Sequence, residues 1–105
     1  MATQALVEQH IIFVSPSAVF DVNAILANSI IQALANNSLG KALISSFRSF
    51  NTWDGTNWLN QVFYEIIVYC QPTFQATIQS NIAALQTQLP GYSIFTWGHA
   101  VTWGS

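Results

Sequence analysis

Few side chains in this sequence can do chemistry. Glu8, His10, Cys70 and His99 are possible metal ligands, Glu65 and Arg48 a possible ion pair, and Asp21 and Asp54 lone carboxylates. Glu8 and His10 stand two apart, a spacing that puts both on one face of a strand. None of the four candidate ligands forms a Cys-x-x-Cys or His-Glu-x-x-His signature, so no metal site is assigned; the pair reads as a strand-surface feature or a satisfied histidine. Serines are plentiful, but no Gly-x-Ser-x-Gly elbow presents one to a base, and no Gly-rich loop offers a phosphate cradle. Glu65 alternates with Phe63 and Ile67, which makes it an inward carboxylate in need of a partner. Arg48 is within reach across a hairpin, and the pair reads as structural. Cys70 is the single cysteine and reads as a small buried hydrophobe. Asp54 falls at a hairpin tip and Asp21 near a helix start, where it favours the helix dipole. Asn36-Asn37-Ser38 matches a glycosylation acceptor. No catalytic, cofactor-binding or metal residue is assigned.

The elements that must position these groups are legible as alternating periods. Ala5 to Val14 is rich in Val, Ile and Phe and reads as a central strand buried on both sides. Ser15 or Ser17 then offers a helix cap. From Ala18 to Ala35, Val22, Ile25, Leu26, Ile30, Ala33 and Leu34 recur at helical spacing, and the Asn and Gly that follow stop the helix. Lys41 to Trp53 reads as a strand, Asp54 to Asn57 as a tight turn, and Trp58 to Cys70 as a long returning strand. A second helix spans Pro72 to Leu89, with Phe74, Ile78, Ile82, Leu85 and Leu89 on its apolar stripe. Tyr92 to Trp103 is a last strand, with Ser93, Phe95, Trp97, His99, Val101 and Trp103 on one face. The order is βαββαβ in one domain, residues 1–105. This is the α+β ferredoxin-like fold: a four-stranded antiparallel sheet, two helices on one face, and a long hairpin between its second and third strands.

The stretch "FNTWDG", Phe50 to Gly55, at the hairpin tip resembles the CutA family of small ferredoxin-like trimers. "FVSPS" (Phe13 to Ser17) is similar to that family's first strand running into a Pro turn. "IIQALANNSLGKALI" (Ile30 to Ile44) resembles its helix end and second-strand start, and "LPGYSI" (Leu89 to Ile94) its Pro-Tyr lead into the last strand. The resemblance implies the fold and a trimer. It does not carry a metal role: the family's Cys is Ala42 here, its His before the Pro-Tyr is Gln or Leu, and its later Pro-Glu is Phe95 and Thr96.

Composition sets the remaining bounds. Charged residues are 6% of the chain, against roughly 25% in an average soluble domain. With two basic residues, a row of phosphates cannot be neutralised, so nucleic acid is not an expected partner. No run of about 18 apolar residues spans a membrane. The start "MATQALVEQH" lacks a basic region followed by an apolar one, so no cleavable secretory signal is expected. Low charge suits an extracellular, virion or acidic setting, since few groups titrate.

The expected function is a non-enzymatic, self-assembling homo-oligomer, a trimeric structural or scaffold subunit. Helices on one face leave an apolar sheet face uncovered, and a monomer does not expose one of that size. The expected interface residues are Phe47, Phe50, Trp53, Trp58, Phe63, Trp97 and Trp103. Two Trp side chains alone bury about 300–500 Å², which stabilises by about 7–12 kcal/mol before association costs. The alternatives are a CutA-like small-molecule or metal-binding regulatory trimer, and a dimeric α+β barrel enzyme with His10 or His99 as acid or base.

Overall fold

The computed structural model describes residues 4–15, 20–38 and 43–103; at positions 4, 50, 52 and 103 it describes the strand but not the side chain. The elements are β1 (Gln4–Val14), α1 (Val22–Ala27), α2 (Ser29–Asn37), β2 (Ile44–Trp53), β3 (Trp58–Cys70), α3 (Gln75–Gln88) and β4 (Ser93–Trp103). The strands form one sheet in the order β2-β3-β1-β4, and every neighbouring pair is antiparallel. This is the expected ferredoxin-like arrangement, with β1 central.

The alternation of side chains along a strand divides β1 cleanly. Val7, Ile11 and Phe13 enter a core with Tyr64, Ile66, Val68 and Cys70 of β3. The helices close that core with Ile25, Ile31, Leu34, Ile78, Ile82 and Leu85. Each such side chain contributes about 1.5–3 kcal/mol on burial. Cys70 is buried there, and burial pushes its thiol up, as expected of an inert packing residue.

The first helix departs from the single run expected. It breaks at Asn28, whose backbone is extended (φ −61°, ψ 135°), and restarts at Ser29. The Asn28 side chain accepts from Ile30 N at 2.8 Å, capping α2, and donates to Gln88 Oε1 at 2.9 Å, tying the break to α3. The first cap is Asp21, which accepts from Ala24 N at 3.0 Å, rather than Ser15. Ser17, the start expected at Ala18, and the strand start expected at Lys41 lie outside the described residues. The second helix opens as a turn of 3-10 helix, Pro72–Phe74, before α3 proper.

The β2–β3 hairpin turns where expected. Gly55 takes φ 100°, and Asp54 Oδ1 accepts from Thr56 N at 2.8 Å and Asn57 N at 2.6 Å. Its distal half is exposed, with β3 open to solvent from Trp58 to Gln61. The molecule is accordingly long, 54 × 28 × 20 Å.

Candidate functional site

Because Val7, Gln9, Ile11 and Phe13 point toward the helices, Glu8, His10 and Ile12 point to the opposite, uncovered face. The register then chooses their neighbours. Glu8 stands between Tyr69 of β3 and His99 of β4, His10 between Ile67 and Trp97, and Ile12 between Glu65 and Phe95. On β2, Ser46 pairs with Glu65 and Arg48 with Phe63, one diagonal step from Glu65.

These positions build one connected network. Glu8 Oε2 meets the Nε2 atoms of both imidazoles: His99 in very close contact, His10 at 3.2 Å. Tyr69 donates its hydroxyl to Glu8 Oε1 at 2.5 Å. That bond, helped by His10 and His99, holds the Glu8 carboxyl below the usual carboxylate range, and it pushes the Tyr69 phenol up. The other nitrogen of His10, Nδ1, lies 3.1 Å from Glu65 Oε2. Arg48 Nε approaches Glu65 Oε1 at 3.0 Å without hydrogen-bond alignment, so this buried oxygen has an ion pair but no hydrogen-bond partner among the described residues. Glu65 is only 5% exposed. Rings frame the network: Trp97 stacks on His10 (5.0 Å, 7°), and His99 stacks on His10 beside it (5.6 Å, 20°).

The concentration of charge is the notable feature. The chain has six residues of Asp, Glu, Lys and Arg, and two histidines. Glu8, Glu65, Arg48 and both histidines meet on this patch. Exposed apolar groups on the same face, Ile44, Phe95 and Trp97, lie around it. The arrangement can hold a polar ligand against an aromatic ring, pass a proton between His10 and either carboxylate, or ligate a cation.

The sequence expectation paired Glu8 with His10 and Glu65 with Arg48, and both pairs form. Cys70, the fourth possible ligand, lies on the opposite face and takes no part. The position of His99 beside Glu8 and the role of Tyr69 were missed; both follow from strand register, which the periodic pattern alone does not fix.

The seven expected interface residues do not form one patch. Phe47 is on the helix face, against Phe20 and Tyr64. Trp53 and Trp58 contact each other at the hairpin tip (5.4 Å), with Trp58 70% exposed. Trp97 and Phe63 lie on the uncovered face. Phe50 and Trp103 have strand positions opposite Gln61 and Gln4, and their side chains lie outside the described residues.

Fold and site together define an α+β protein with a polar cluster on an open antiparallel sheet, and solved structures of PII-like proteins share that fold. CPII, a nitrogen regulatory PII-like protein from Thiomonas intermedia K12 bound to ADP, AMP and bicarbonate, matches with a TM-score of 0.50 at 10% identity, over 99% of this chain and 98% of that one. A putative PII-like signalling protein from Thermus thermophilus matches with a TM-score of 0.51 at 10% identity, over 98% of this chain and 93% of that one. A phage SAM lyase in complex with S-methyl-5'-thioadenosine matches with a TM-score of 0.54 at 8% identity, over 98% of this chain and 93% of that one. At these identities the likeness is one of fold. No protein-family model and no curated protein matches the chain. Among the described residues no helix is long and apolar enough to cross a membrane.

Proposed function

We propose that this chain is a homo-oligomeric small-molecule-binding protein whose ligand docks on the uncovered sheet face, at the Trp97–His10 stack, where copies meet. The observation that carries this reading is the gathering of Glu8, Glu65, Arg48 and both histidines within a rim of exposed apolar groups. A purely structural subunit, the first expectation from the sequence, has no use for ionisable groups at a contact surface, because desolvating them opposes association. Apolar rings around a few placed polar groups are the usual make-up of a ligand site. Two fold neighbours are bound to adenosine compounds, ADP with AMP in one and S-methyl-5'-thioadenosine in the other. An adenine ring is flat and stacks on an indole, so adenine nucleosides and nucleotides are the first ligand class to test. The oligomer is a trimer in this reading, as the CutA resemblance implies, with Trp53 and Trp58 of each hairpin reaching a neighbouring copy.

Two measurements test the proposal. Sedimentation velocity should give a salt-resistant trimer at micromolar concentration, and a monomer there overturns the assembly. Calorimetry with AMP, ADP and S-methyl-5'-thioadenosine should give saturable binding that Trp97→Ala removes, and silence with all three overturns the ligand class.

A second reading has its own observation. His10 bridges two carboxylates, with Nε2 at Glu8 and Nδ1 at Glu65: Glu65 can orient the ring, and Nε2 can exchange a proton with a substrate that displaces Glu8. In that reading the bound molecule is turned over. Product formation that His10→Gln abolishes while binding persists would distinguish it from simple binding.

A further inference from the structure

We propose that Glu8, His10 and His99 form a binding site for a first-row divalent transition-metal ion of the zinc type. One ligand atom from each of the three lies within 4.8 Å of the other two. A zinc ion with bonds of about 2.0–2.1 Å places its tetrahedral ligand atoms about 3.3 Å apart. His10 Nε2 and Glu8 Oε2 already stand 3.2 Å apart. His99, already against Glu8 Oε2, needs only a side-chain adjustment to complete the triangle. Its side chain is the exposed member of the three and has room to do so.

The two imidazoles aim the same nitrogen, Nε2, at a single carboxylate oxygen, Glu8 Oε2. Once the protons between them are released, the two nitrogens and the oxygen offer three converging lone pairs that a cation can gather. Neutral imidazole and carboxylate are also the ligand types that zinc and its neighbours prefer.

The outer contacts strengthen the case. A metal-bound histidine usually gives its second nitrogen to a carboxylate, which fixes the ring and raises its basicity. His10 Nδ1 has Glu65 Oε2 at 3.1 Å, and Glu65 is in turn held by Arg48 at 3.0 Å. The spare oxygen of Glu8 is taken by the Tyr69 hydroxyl at 2.5 Å. All these groups stand on paired strands, with Glu8 directly opposite His99, so the triangle rests on the rigid part of the fold rather than on a loop. Three protein ligands leave a fourth position open, as in zinc sites that bind a further molecule. An ordinary surface ion pair needs neither the second imidazole nor the buried outer carboxylate.

The test uses the full chain, tag-free, stripped with a chelator and dialysed. Co2+ titration should raise visible absorption bands of tetrahedral strength, saturating at one ion per chain. Zn2+ should displace Co2+ and raise the melting temperature. His99→Ala, at the exposed rim and outside the core, should keep the parent's far-ultraviolet circular dichroism and lose the cobalt bands. Glu8→Gln should weaken Zn2+ binding at least tenfold. Absence of saturable Co2+ and Zn2+ binding by the folded parent overturns the proposal, and so does binding that survives His99→Ala unchanged. Neither result depends on adenine compounds, so the outcome is separable from that of the ligand titrations.

Discussion

Gly98 lies between Trp97 and His99 on β4, opposite Gln9 of β1. Its lack of a side chain is a matter of space, since among the described glycines only Gly55 has positive φ. A Cβ at Gly98 would collide with Gln9 Oε1, stand 2.6 Å from Gln75 Nε2 and 2.9 Å from Val7 Cγ1. Two of those atoms end flexible side chains, which would ordinarily make the change cheap. Here they are pinned. Gln9 is 0% exposed; its Nε2 donates to Thr96 Oγ1 at 2.6 Å, and its Oε1 accepts from Gln75 Nε2 at 3.2 Å. Thr96 in turn donates to the His10 carbonyl at 2.7 Å. Gly98→Ala therefore overpacks by about 1–3 kcal/mol and strands part of a buried amide, costing about 1–3 kcal/mol more. The two costs together come to about 2–6 kcal/mol, with about 4 kcal/mol as the central value. At about 2.1 cal/mol/K per residue, a chain of this length loses about 4–5 °C per kcal/mol, so the melting temperature should fall by about 18 °C. Circular dichroism melts at one fixed chain concentration measure it, since assembly makes the midpoint concentration-dependent. In a Gln9→Ala background the nearest obstruction is gone and the end of Gln75 is no longer pinned to it, so the same Gly98→Ala change should lower the midpoint less. A drop of less than about 3 °C in the parent background, outside the range that the overpacking cost implies, would refute the argument that this buried network needs the glycine.

Three further changes test other parts of the structure. Asp54 has its carboxyl held below the usual range by the Asn57 and Thr56 amides; a lowered folded-state value means its contribution is present at neutral pH and lost as pH falls through that value. The melting gap between parent and Asp54→Ala should thus be full at pH 7 and narrow below the ordinary aspartate range of about 3.9. Asn28→Ala removes the α2 cap and the bond to Gln88; it should cost about 1 kcal/mol in a urea melt, and an unchanged midpoint would count against the cap. Trp53→Ser with Trp58→Ser exposes no core, because both rings project beyond the helices at the hairpin tip; the pair should leave the circular dichroism intact and weaken assembly by sedimentation, whereas an unaltered oligomer would remove the tip from the interface.

The fold was legible because burial imposes a period. Along β1 the side chains of Val7, Ile11 and Phe13 lie on one face and meet the helices, as the period of two of a strand requires, and the Val-, Ile- and Phe-rich composition favours a strand. Ile78, Ile82 and Leu85 likewise demand one helix face. The break at Asn28 was not legible from that signal. Ile25 and Ile31 are both fully buried on either side of it, so the apolar stripe runs on while the backbone stops. What marks the break is local chemistry: Asn28 followed by Ser29 is a cap sequence inside a helical pattern, and the side chain of Asn28 competes for the backbone as such residues do.

The site was legible only as far as one strand or one hairpin reaches. Glu8 with His10 needs only the period of two, and Arg48 with Glu65 needs only the turn at Gly55 to set the register. His99 and Tyr69 come to Glu8 from two other strands, both distant in sequence, and no local rule aligns them. Yet composition held a further clue. A chain with so few ionisable groups has no general need for them at a sheet face, and placing Glu65 at 5% exposure beside His10 and Arg48 costs desolvation that Leu or Val there would not. Hydrophobic replacements would fill the same space without that desolvation cost. If Glu65→Leu with Arg48→Leu yields a chain that is more stable but no longer binds metal or nucleotide, the cluster serves function at the expense of stability; if that variant is less stable and binds as before, the cluster is structural.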